Sequence, residues 1–216
     1  MSDQCDAGIS LMDRLKDSTR SMHDSAESSQ FQGLLAKGML SQSAYADYLE
    51  QLYLVHSTLE KEIRRRADSK NSFDKIVSNE QLQEPFLKED LEKLGRKIED
   101  IKSLPSTHRL LRLLENYSEA CPPALLGMHY VLLGSKHGGK FIAKTCSETY
   151  NLHDGKGVMY FDPYGQNFMP IWKAFKEEMN KLELSEKDKE KVCAAAGVMF
   201  MAVNEIGGEL MPVASK

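Results

Sequence analysis

The amino-acid sequence predicts an all-α protein folded as one multi-helix domain. Apolar residues recur with helical spacing in almost every segment, and no segment shows the alternation of apolar and polar residues that is typical of a strand. The chain has 216 residues, a length that one domain can reach, and contains no internal repeat, low-complexity tract or dividing linker. We therefore expect a helical domain over residues 10–210, with flexible tails at 1–9 and 211–216.

The first two predicted helices follow from apolar residues that recur every three or four positions. The first begins near Ser10. The second begins after Gly38, where Ser41 gives a start signal, and ends in the basic run 64–66, which suits a helix C-terminus. The residues expected to face inward in these two helices are Leu11, Leu15, Met22, Ala26, Tyr45, Tyr48, Leu49, Leu52, Tyr53, Val55, Leu59 and Ile63.

The rest of the chain alternates helices with turns that proline and glycine mark. A polar stretch with only short helical pieces is expected at 67–84, and a turn is expected around Pro105. Pro122 and Pro123 end the helix that contains Leu110 to Tyr117. The other predicted helices cover 85–101, 124–150, 168–183 and 185–206, with loops at 153–157 and 163–165.

Charge and composition exclude several classes of function. The net charge of −4 gives no general attraction to nucleic acid. No run of about 18 apolar residues is present, so we expect no membrane span. The N-terminal residues lack the basic and apolar regions of a secretory signal, and the four cysteines form no zinc-binding pattern. A cytoplasmic protein with reduced thiols is the expectation.

A polar stripe on the first helix is the first candidate site. Lys16, Arg20, His23 and Glu27 are spaced four, three and four residues apart, which places them on one helix face. Such a stripe is often no more than a solvated surface. It also suits a dianionic ligand with a central metal: two cations for the carboxylates, an imidazole for the metal, and a carboxylate to orient the imidazole. Haem, an iron-containing disc with two propionates, is such a ligand.

A glycine-rich segment at 132–141 is the second candidate. Gly134, Gly138 and Gly139 lie within six residues of a predicted helix, and each glycine costs about 1 kcal/mol there relative to alanine. Such a segment can form a kink or a close contact between helices, or it can let the backbone lie against a flat ligand. Lys136 and His137 within it argue against dimerisation in a membrane.

These residues carry a resemblance to heme oxygenases. Residues 15–27 (LKDSTRSMHDSAE) resemble the proximal helix of that family, and residues 52–63 resemble the helix that follows. Residues 133–139 (LGSKHGG) are similar to its distal helix, and residues 179–185 (MNKLELS) to a later helix and turn. The similarity covers roughly residues 10–210.

The resemblance implies a fold with haem sandwiched between the proximal helix and the glycine-rich distal helix. It makes His23 the iron ligand and Glu27 its neighbour. Family members cleave haem to biliverdin, iron and carbon monoxide with dioxygen and electrons from a reductase or ferredoxin. By the same resemblance, the reacting face carries Gly134, Ser135, Gly138 and Gly139, and the propionates lie near Lys16, Arg20, His129 and Lys176.

The distal segment departs from the family pattern at several positions. An aspartate that orders water usually follows the first glycine, and Ser135 stands there instead. A hydroxyl donates and accepts hydrogen bonds but lacks the charge of a carboxylate. His129 stands where a tyrosine is often found, and Trp172 where a lysine is. His137 either faces solvent or a neighbouring helix, or it swings to the iron as a second ligand.

Four functions follow from these features. The leading one is a haem-degrading oxygenase, and the second is a protein of the same fold that sequesters, carries or senses haem without degrading it. A third is a thiamine-degrading or cofactor-maturing enzyme, for which Cys121 and Cys146 are the candidate nucleophiles. The fourth is a helical interaction protein on which His23 is merely exposed. His56, on the second helix, is expected to be a core histidine with its hydrogen bonds satisfied.

Overall fold

A computed structural model describes residues 9–67 and 73–211, and within them it shows α-helices, three short 3-10 turns and no strand. The predicted all-α class is confirmed. The predicted tails lie almost wholly outside the described residues. The helices are α1 (Leu11–Glu27), α2 (Gln30–Ala36), α3 (Gln42–Ala67), α4 (Phe73–Ile76), α5 (Glu84–Lys93), α6 (Pro105–Ala120), α7 (Ala124–Gly134), α8 (Lys136–Tyr150), α9 (Phe168–Asn180) and α10 (Glu186–Glu209).

Both predicted start signals cap a helix. The Ser10 side chain accepts a hydrogen bond from the backbone N–H of Asp13 (3.2 Å), so α1 begins at Leu11. The Ser41 hydroxyl accepts one from Ala44 N–H (3.1 Å) at the start of α3. The apolar stripe of α3 is buried as predicted except for Tyr53, which is half-buried, and α3 packs against α5 and α6.

An additional helix and an early helix end differ from the prediction. The separate helix α2 was not expected, because its seven residues are too few to show a clear periodicity. The helix expected over 85–101 ends at Lys93 instead. Gly95 follows it with φ +73°, and Arg96 N–H donates to Leu91 C=O (2.9 Å), which is the bonding pattern of a glycine-terminated helix.

The long helix expected over 124–150 is two helices, α7 and α8, that meet at Ser135. The Ser135 hydroxyl donates to the Leu132 carbonyl (2.7 Å), a local bond that competes with regular helix geometry. The junction directly follows Gly134, and glycine weakens a helix interior. The glycine-rich segment therefore contains a break, one of the two structures that its composition predicts.

Helix α10 is long and apolar enough, by length and composition, to cross a membrane, whereas no span is expected from the sequence. Its packing accounts for its composition, because α10 lies against both α7 and α1. A Cβ atom at Gly127 of α7 would overlap the Val192 carbonyl, and one at Gly197 would lie 2.9 Å from Met22 Sδ. Glycines at these crossings let the helix backbones approach closely.

Candidate functional site

The relative directions of α1, α9 and the α7–α8 segment determine which residues lie near one another at the candidate site. Met12 N–H at the start of α1 donates to Asn180 Oδ1 at the end of α9 (3.1 Å), so α1 and α9 are antiparallel. His129 and His137 of α7 and α8 contact Phe175 and Phe168 of α9 in reverse order, so α9 is also antiparallel to the α7–α8 segment. Helix α1 therefore runs in the same direction as α7–α8.

Helix α1 approaches α7 one turn before His23. There burial raises the pKa of Tyr130 and the neighbouring Thr19 opposes the rise, while the Thr19 hydroxyl itself donates to the Leu15 carbonyl (2.7 Å). Because the helices are parallel, His23 on α1 and Gly134 on α7 both lie one turn beyond this contact. The structure thus places His23 of α1 and the glycine-rich segment at 132–141 at the same end of the bundle.

His23 presents its imidazole at the surface of α1, with 54% of the side chain exposed. Its Nε2 atom lies 3.7 Å from Glu27 Oε1 and its Nδ1 atom lies 3.8 Å from Asp24 Oδ1. Both distances exceed a hydrogen bond. The ring edge contacts Phe200 of α10, with centroids 6.0 Å apart. An imidazole with an apolar neighbour and a carboxylate one turn away can bind a metal and be oriented by that carboxylate.

The cations expected from the sequence to lie near an anionic ligand are exposed on two helices. Lys16 and Arg20 are exposed on α1, and Arg20 pairs with Asp17 at 2.9 Å. Lys176 is exposed on α9, one turn before the Asn180 junction, and Lys16 lies one turn after that junction on α1. On antiparallel helices these two lysines lie at a similar distance along the helix axis from the Met12–Asn180 contact.

The three glycines of the distal segment have different surroundings. A Cβ atom at Gly134 would contact the Trp172 indole at 3.5 Å, which is ordinary van der Waals distance. A Cβ at Gly138 would meet nothing within 4 Å. A Cβ at Gly139 would overlap the Phe161 carbonyl oxygen, so this glycine is required by the 157–165 loop that packs on it. Of the three glycines, only Gly138 has open space where a side chain would be.

His137 is seated on α9. Its Nδ1 atom lies 2.8 Å from the Gly134 carbonyl oxygen, and its ring lies edge-on to Phe168 and Trp172, with centroids 4.7 and 5.0 Å apart. The residue is exposed. Of the two sequence alternatives, this arrangement matches a polar residue packed on a neighbouring helix.

His129 lies in the core, contrary to its expected place beside a propionate. It is 2% exposed, its Nε2 atom is 2.9 Å from Gln81 Oε1, and its ring packs edge-on against Phe175. Burial lowers its pKa to about 4. A neutral histidine whose nitrogen is bonded to Gln81 is not a contact for an anion, and the expectation for His129 is corrected accordingly.

A buried polar chain beside the distal segment was not predicted. His56 Nδ1 lies 3.1 Å from Glu60 Oε1, and His56 Nε2 lies 3.2 Å from the Tyr160 hydroxyl. Burial raises the pKa of Tyr160 far above its ordinary value, and the Ser135 hydroxyl opposes that rise. The hydrogen bonds therefore lead from Glu60 in α3 to Tyr160 in the loop that packs on α8. His56 is a satisfied core histidine, as expected, but its partners connect it to the candidate site.

Glu60 holds a charge despite its burial. Burial alone would raise its pKa, yet hydrogen bonds from His56 and from the Gln83 backbone outweigh that effect and hold the pKa below the ordinary value. The Gln83 and Glu84 N–H groups donate to Oε1 at 2.7 and 3.2 Å. The carboxylate thus joins α3 to the start of α5.

Lys136 adds an unusual group to this chain. It is 5% exposed, and its Nζ atom lies 3.1 Å from the centroid of the Tyr160 ring. Within the described residues Nζ has no hydrogen-bond partner, and burial lowers its pKa well below the ordinary value. The sequence marks Lys136 as part of the distal segment but gives no sign that it is buried.

Asp90 of α5 anchors the loop that carries Tyr160. Its carboxylate accepts hydrogen bonds from the N–H groups of Gly157 (2.7 Å), Met159 (2.9 Å) and Tyr160 (2.8 Å). Burial raises the pKa of Asp90 to about 6, and these three bonds oppose the rise. The loop is therefore fixed against Gly139 from one side and against Asp90 from the other.

The thiols are poor nucleophiles in this fold. Burial raises the pKa of Cys146 to about 12 and raises that of Cys121 as well, so both are protonated near neutral pH. Across residues 9–67 and 73–211, no three His, Cys, Asp or Glu side chains form a metal-binding group. Neither observation favours the thiamine-degrading alternative.

The fold and the site define a class of all-helical protein. In this class the helix that carries the candidate histidine lies beside a glycine-bearing segment that is divided into two helices. The family model for heme oxygenase matches residues 9–206, and the chain belongs to the heme oxygenase family.

Relatives and solved structures agree with this assignment. Heme oxygenase 1 of Bos taurus is 25% identical over 93% of this chain and 71% of its own length. The structure of heme oxygenase from Leptospira interrogans is 27% identical, with a TM-score of 0.85 over 93% of this chain and all of that one. Heme oxygenase-1 from Synechocystis in complex with heme shares the fold at a TM-score of 0.85 and 23% identity, covering 94% of this chain and 92% of that one.

Proposed function

We propose that this chain binds haem between α1 and the α7–α8 segment, with His23 as the iron ligand. The haem ring is then opened to biliverdin, iron and carbon monoxide by dioxygen, with reducing equivalents from a reductase or ferredoxin. The observation that carries the proposal is His23 itself, an exposed imidazole whose two nitrogens are both beyond hydrogen-bond distance of the nearest carboxylates. Membership of the heme oxygenase family supports the same chemistry.

The residues present fit haem. An imidazole is a common protein ligand of haem iron, and the cations Lys16, Arg20 and Lys176 match the two propionates in sign. Gly138 leaves an open face on the α8 side, since a Cβ there would meet nothing within 4 Å. The donor set thus supplies one nitrogen ligand, cations at an edge, and backbone that a flat ring can approach.

Each residue has a separate task in this site. Bound haem would supply the iron centre that reduces and activates dioxygen. Glu27 lies on the Nε2 side of the His23 ring and Asp24 on the Nδ1 side, so the nitrogen that does not bind the iron has a carboxylate to accept its proton, which fixes the imidazole and raises its basicity. Lys16, Arg20 and Lys176 set the rotation of the ligand through their charge. Ser135 and Gly138 border the opposite face, where the serine supplies a hydroxyl.

A second candidate function is a protein that binds haem to sequester or sense it without turnover. Ser135 favours it, because a neutral hydroxyl stands where the family carries a carboxylate. The substitution Ser135→Asp separates the two functions. If only the carboxylate is lacking, Ser135→Asp raises biliverdin production, whereas a protein built to hold haem stays inert with its haem bound.

Haem binding through His23 is tested by titrating hemin into the parent, His23→Ala and His153→Ala. His153 is an exposed histidine of the 153–157 loop and serves as the matched control. We expect a Soret band of an imidazole complex in the parent and in His153→Ala. In His23→Ala that band is lost, and added imidazole restores it. An unchanged spectrum in His23→Ala would remove His23 as the ligand.

A further inference from the structure

Helix α10 runs alongside the helix that carries His23. Near the start of both helices, Arg14 of α1 pairs with Glu186 of α10 at 2.7 Å. Further along, a Cβ atom at Gly197 of α10 would lie 2.9 Å from Met22 Sδ, so the α10 backbone and the Met22 side chain are in close contact. The two helices are therefore parallel, and α10 supports α1 as far as the residue directly before His23.

Phe200 is the residue of α10 that contacts His23. The centroids of the two rings are 6.0 Å apart and the ring planes make an angle of 74°, which is the arrangement of an edge-to-face pair. Residues three apart on a helix share a face, so Gly197 and Phe200 contact the consecutive residues Met22 and His23. Because the glycine fixes the spacing of the two helices, it also holds the Phe200 ring beside the imidazole.

Hydrogen bonds do not fix the His23 ring in the ligand-free protein. Its nitrogens lie 3.7 Å from Glu27 Oε1 and 3.8 Å from Asp24 Oδ1, and both distances exceed a hydrogen bond. The second side-chain torsion of histidine has broad, roughly two-fold energy wells, so the plane of a half-exposed imidazole turns easily. A packed ring on one side of the imidazole, as Phe200 supplies, limits that rotation.

We propose that Phe200 is a positioning residue that sets the plane of the His23 imidazole for iron binding. The inference rests on the proposed function, which makes His23 the iron ligand. Phe200 acts through His23: the contact holds the imidazole plane in one direction relative to the haem ring. An imidazole that is already held loses less rotational freedom when it binds, so the contact also strengthens the bond between the protein and the ligand.

The first test uses the ligand-free protein. Proton NMR, with the His23 ring signals assigned through His23→Ala, compares the parent with Phe200→Leu and Phe86→Leu. Phe86 is the matched control, a half-buried phenylalanine of α5, the helix that packs on α3. The ring current of a neighbouring phenyl group displaces the signals of the imidazole protons. We expect Phe200→Leu to move these signals toward the values of free histidine and Phe86→Leu to leave them in place. Unchanged signals in Phe200→Leu would overturn the inference.

The second test uses the ferric hemin complex with added cyanide. The order and spread of the haem methyl signals in its proton NMR spectrum depend on the direction of the imidazole plane. We expect Phe200→Leu to change this pattern and to release hemin to apomyoglobin about 10-fold faster than the parent. Phe200→Tyr keeps the aromatic ring, so it should retain the pattern and the release rate of the parent, as should Phe86→Leu.

The outcomes separate this inference from the proposed function. If the parent binds no hemin, the proposed function fails and the inference falls with it. If hemin binds through His23, but Phe200→Leu has the methyl pattern of the parent, the inference alone is overturned. The same holds if Phe200→Tyr changes the pattern as much as Phe200→Leu does, because the aromatic ring would then not be what orients the imidazole.

Discussion

His56 Nδ1 lies 3.1 Å from Glu60 Oε1, in a pair whose side chains are 2% and 1% exposed. The two residues are one helical turn apart on α3, so the helix itself sets their contact. Because Glu60 also accepts from the start of α5, the pair joins the central helix to the polar segment at 79–84. The pair therefore has a structural role that can be measured separately from any ligand.

The substitution Glu60→Gln should destabilise the ligand-free protein by about 3 kcal/mol. A glutamine amide offers one oxygen where the carboxylate offered two, and its NH₂ group leaves a buried donor without an acceptor. Urea unfolding measures the effect. The control is Glu177→Gln, which removes an exposed pair with Lys173 and should change stability by less than about 0.5 kcal/mol. Equal effects of the two substitutions would contradict the buried role of Glu60.

Acid sensitivity should depend on His129. Its pKa is about 4 in the folded protein and about 6.5 in an unfolded chain. As the pH falls below about 6.5 the unfolded chain takes up the proton first. The stability that neutral His129 contributes is therefore full above pH 6.5 and is lost between about pH 6.5 and pH 4. The shift corresponds to at most about 3 kcal/mol.

The matched variant for this prediction is His129→Gln, which can keep the bond to Gln81. Its unfolding free energy should fall less than that of the parent between pH 7 and pH 4.5. His56 acts in the same direction as His129, and Asp90, whose raised pKa is about 6, acts in the opposite one. His56 and Asp90 are present in both proteins, so their contributions cancel when the pH dependence of the variant is compared with that of the parent. The same pH dependence in parent and variant would show that His129 is not the acid-sensitive group.

The adjacent glycines Gly138 and Gly139 should respond to alanine in opposite ways. Gly139→Ala should destabilise the ligand-free protein by about 3 kcal/mol, because its methyl group overlaps the Phe161 carbonyl. Gly138→Ala meets no atom within 4 Å and should stabilise the helix by up to about 1 kcal/mol. If the open face holds haem, Gly138→Ala nevertheless weakens hemin binding. Unfolding curves and hemin titrations of both variants measure this, and a Gly138→Ala protein that binds hemin like the parent would place the ligand elsewhere.

The fold was largely predictable from the sequence because helices leave a periodic signal. The stripe from Tyr45 to Ile63 and the cap at Ser10 follow from local spacing alone. Helix α2 is too short to show that period, and the end of α5 depends on one glycine with positive φ. The α7–α8 boundary at Ser135 coincides with a single side-chain bond to Leu132, which composition does not specify.

The site was predictable only where its residues lie on one helix. The spacing of Lys16, Arg20, His23 and Glu27 depends on α1 alone. Tyr160 sits in a loop with no periodicity, 104 positions from its partner His56, and only the fold brings them together. The i, i+4 spacing of His56 and Glu60 was the one signal in the sequence that pointed to the buried chain.

The spectrum of the hemin complex should not depend on His137. The ring is held by the Gly134 carbonyl and by Phe168 and Trp172, so binding iron would require it to give up these contacts. We expect His137→Ala to have the same ferric and ferrous bands as the parent. The opposite result would be a parent whose bands indicate two histidine ligands and a His137→Ala variant that lacks these bands. That result would show that His137 closes the distal face.

The most direct test of the account is turnover by the parent protein. Purified protein is reconstituted with one equivalent of hemin, ascorbate is added in air with catalase present, and the visible spectrum is followed. The account predicts that the Soret band decays while a biliverdin band grows, and that His153→Ala does the same. A Soret band that forms and then persists would contradict ring opening and leave a protein that holds haem without degrading it.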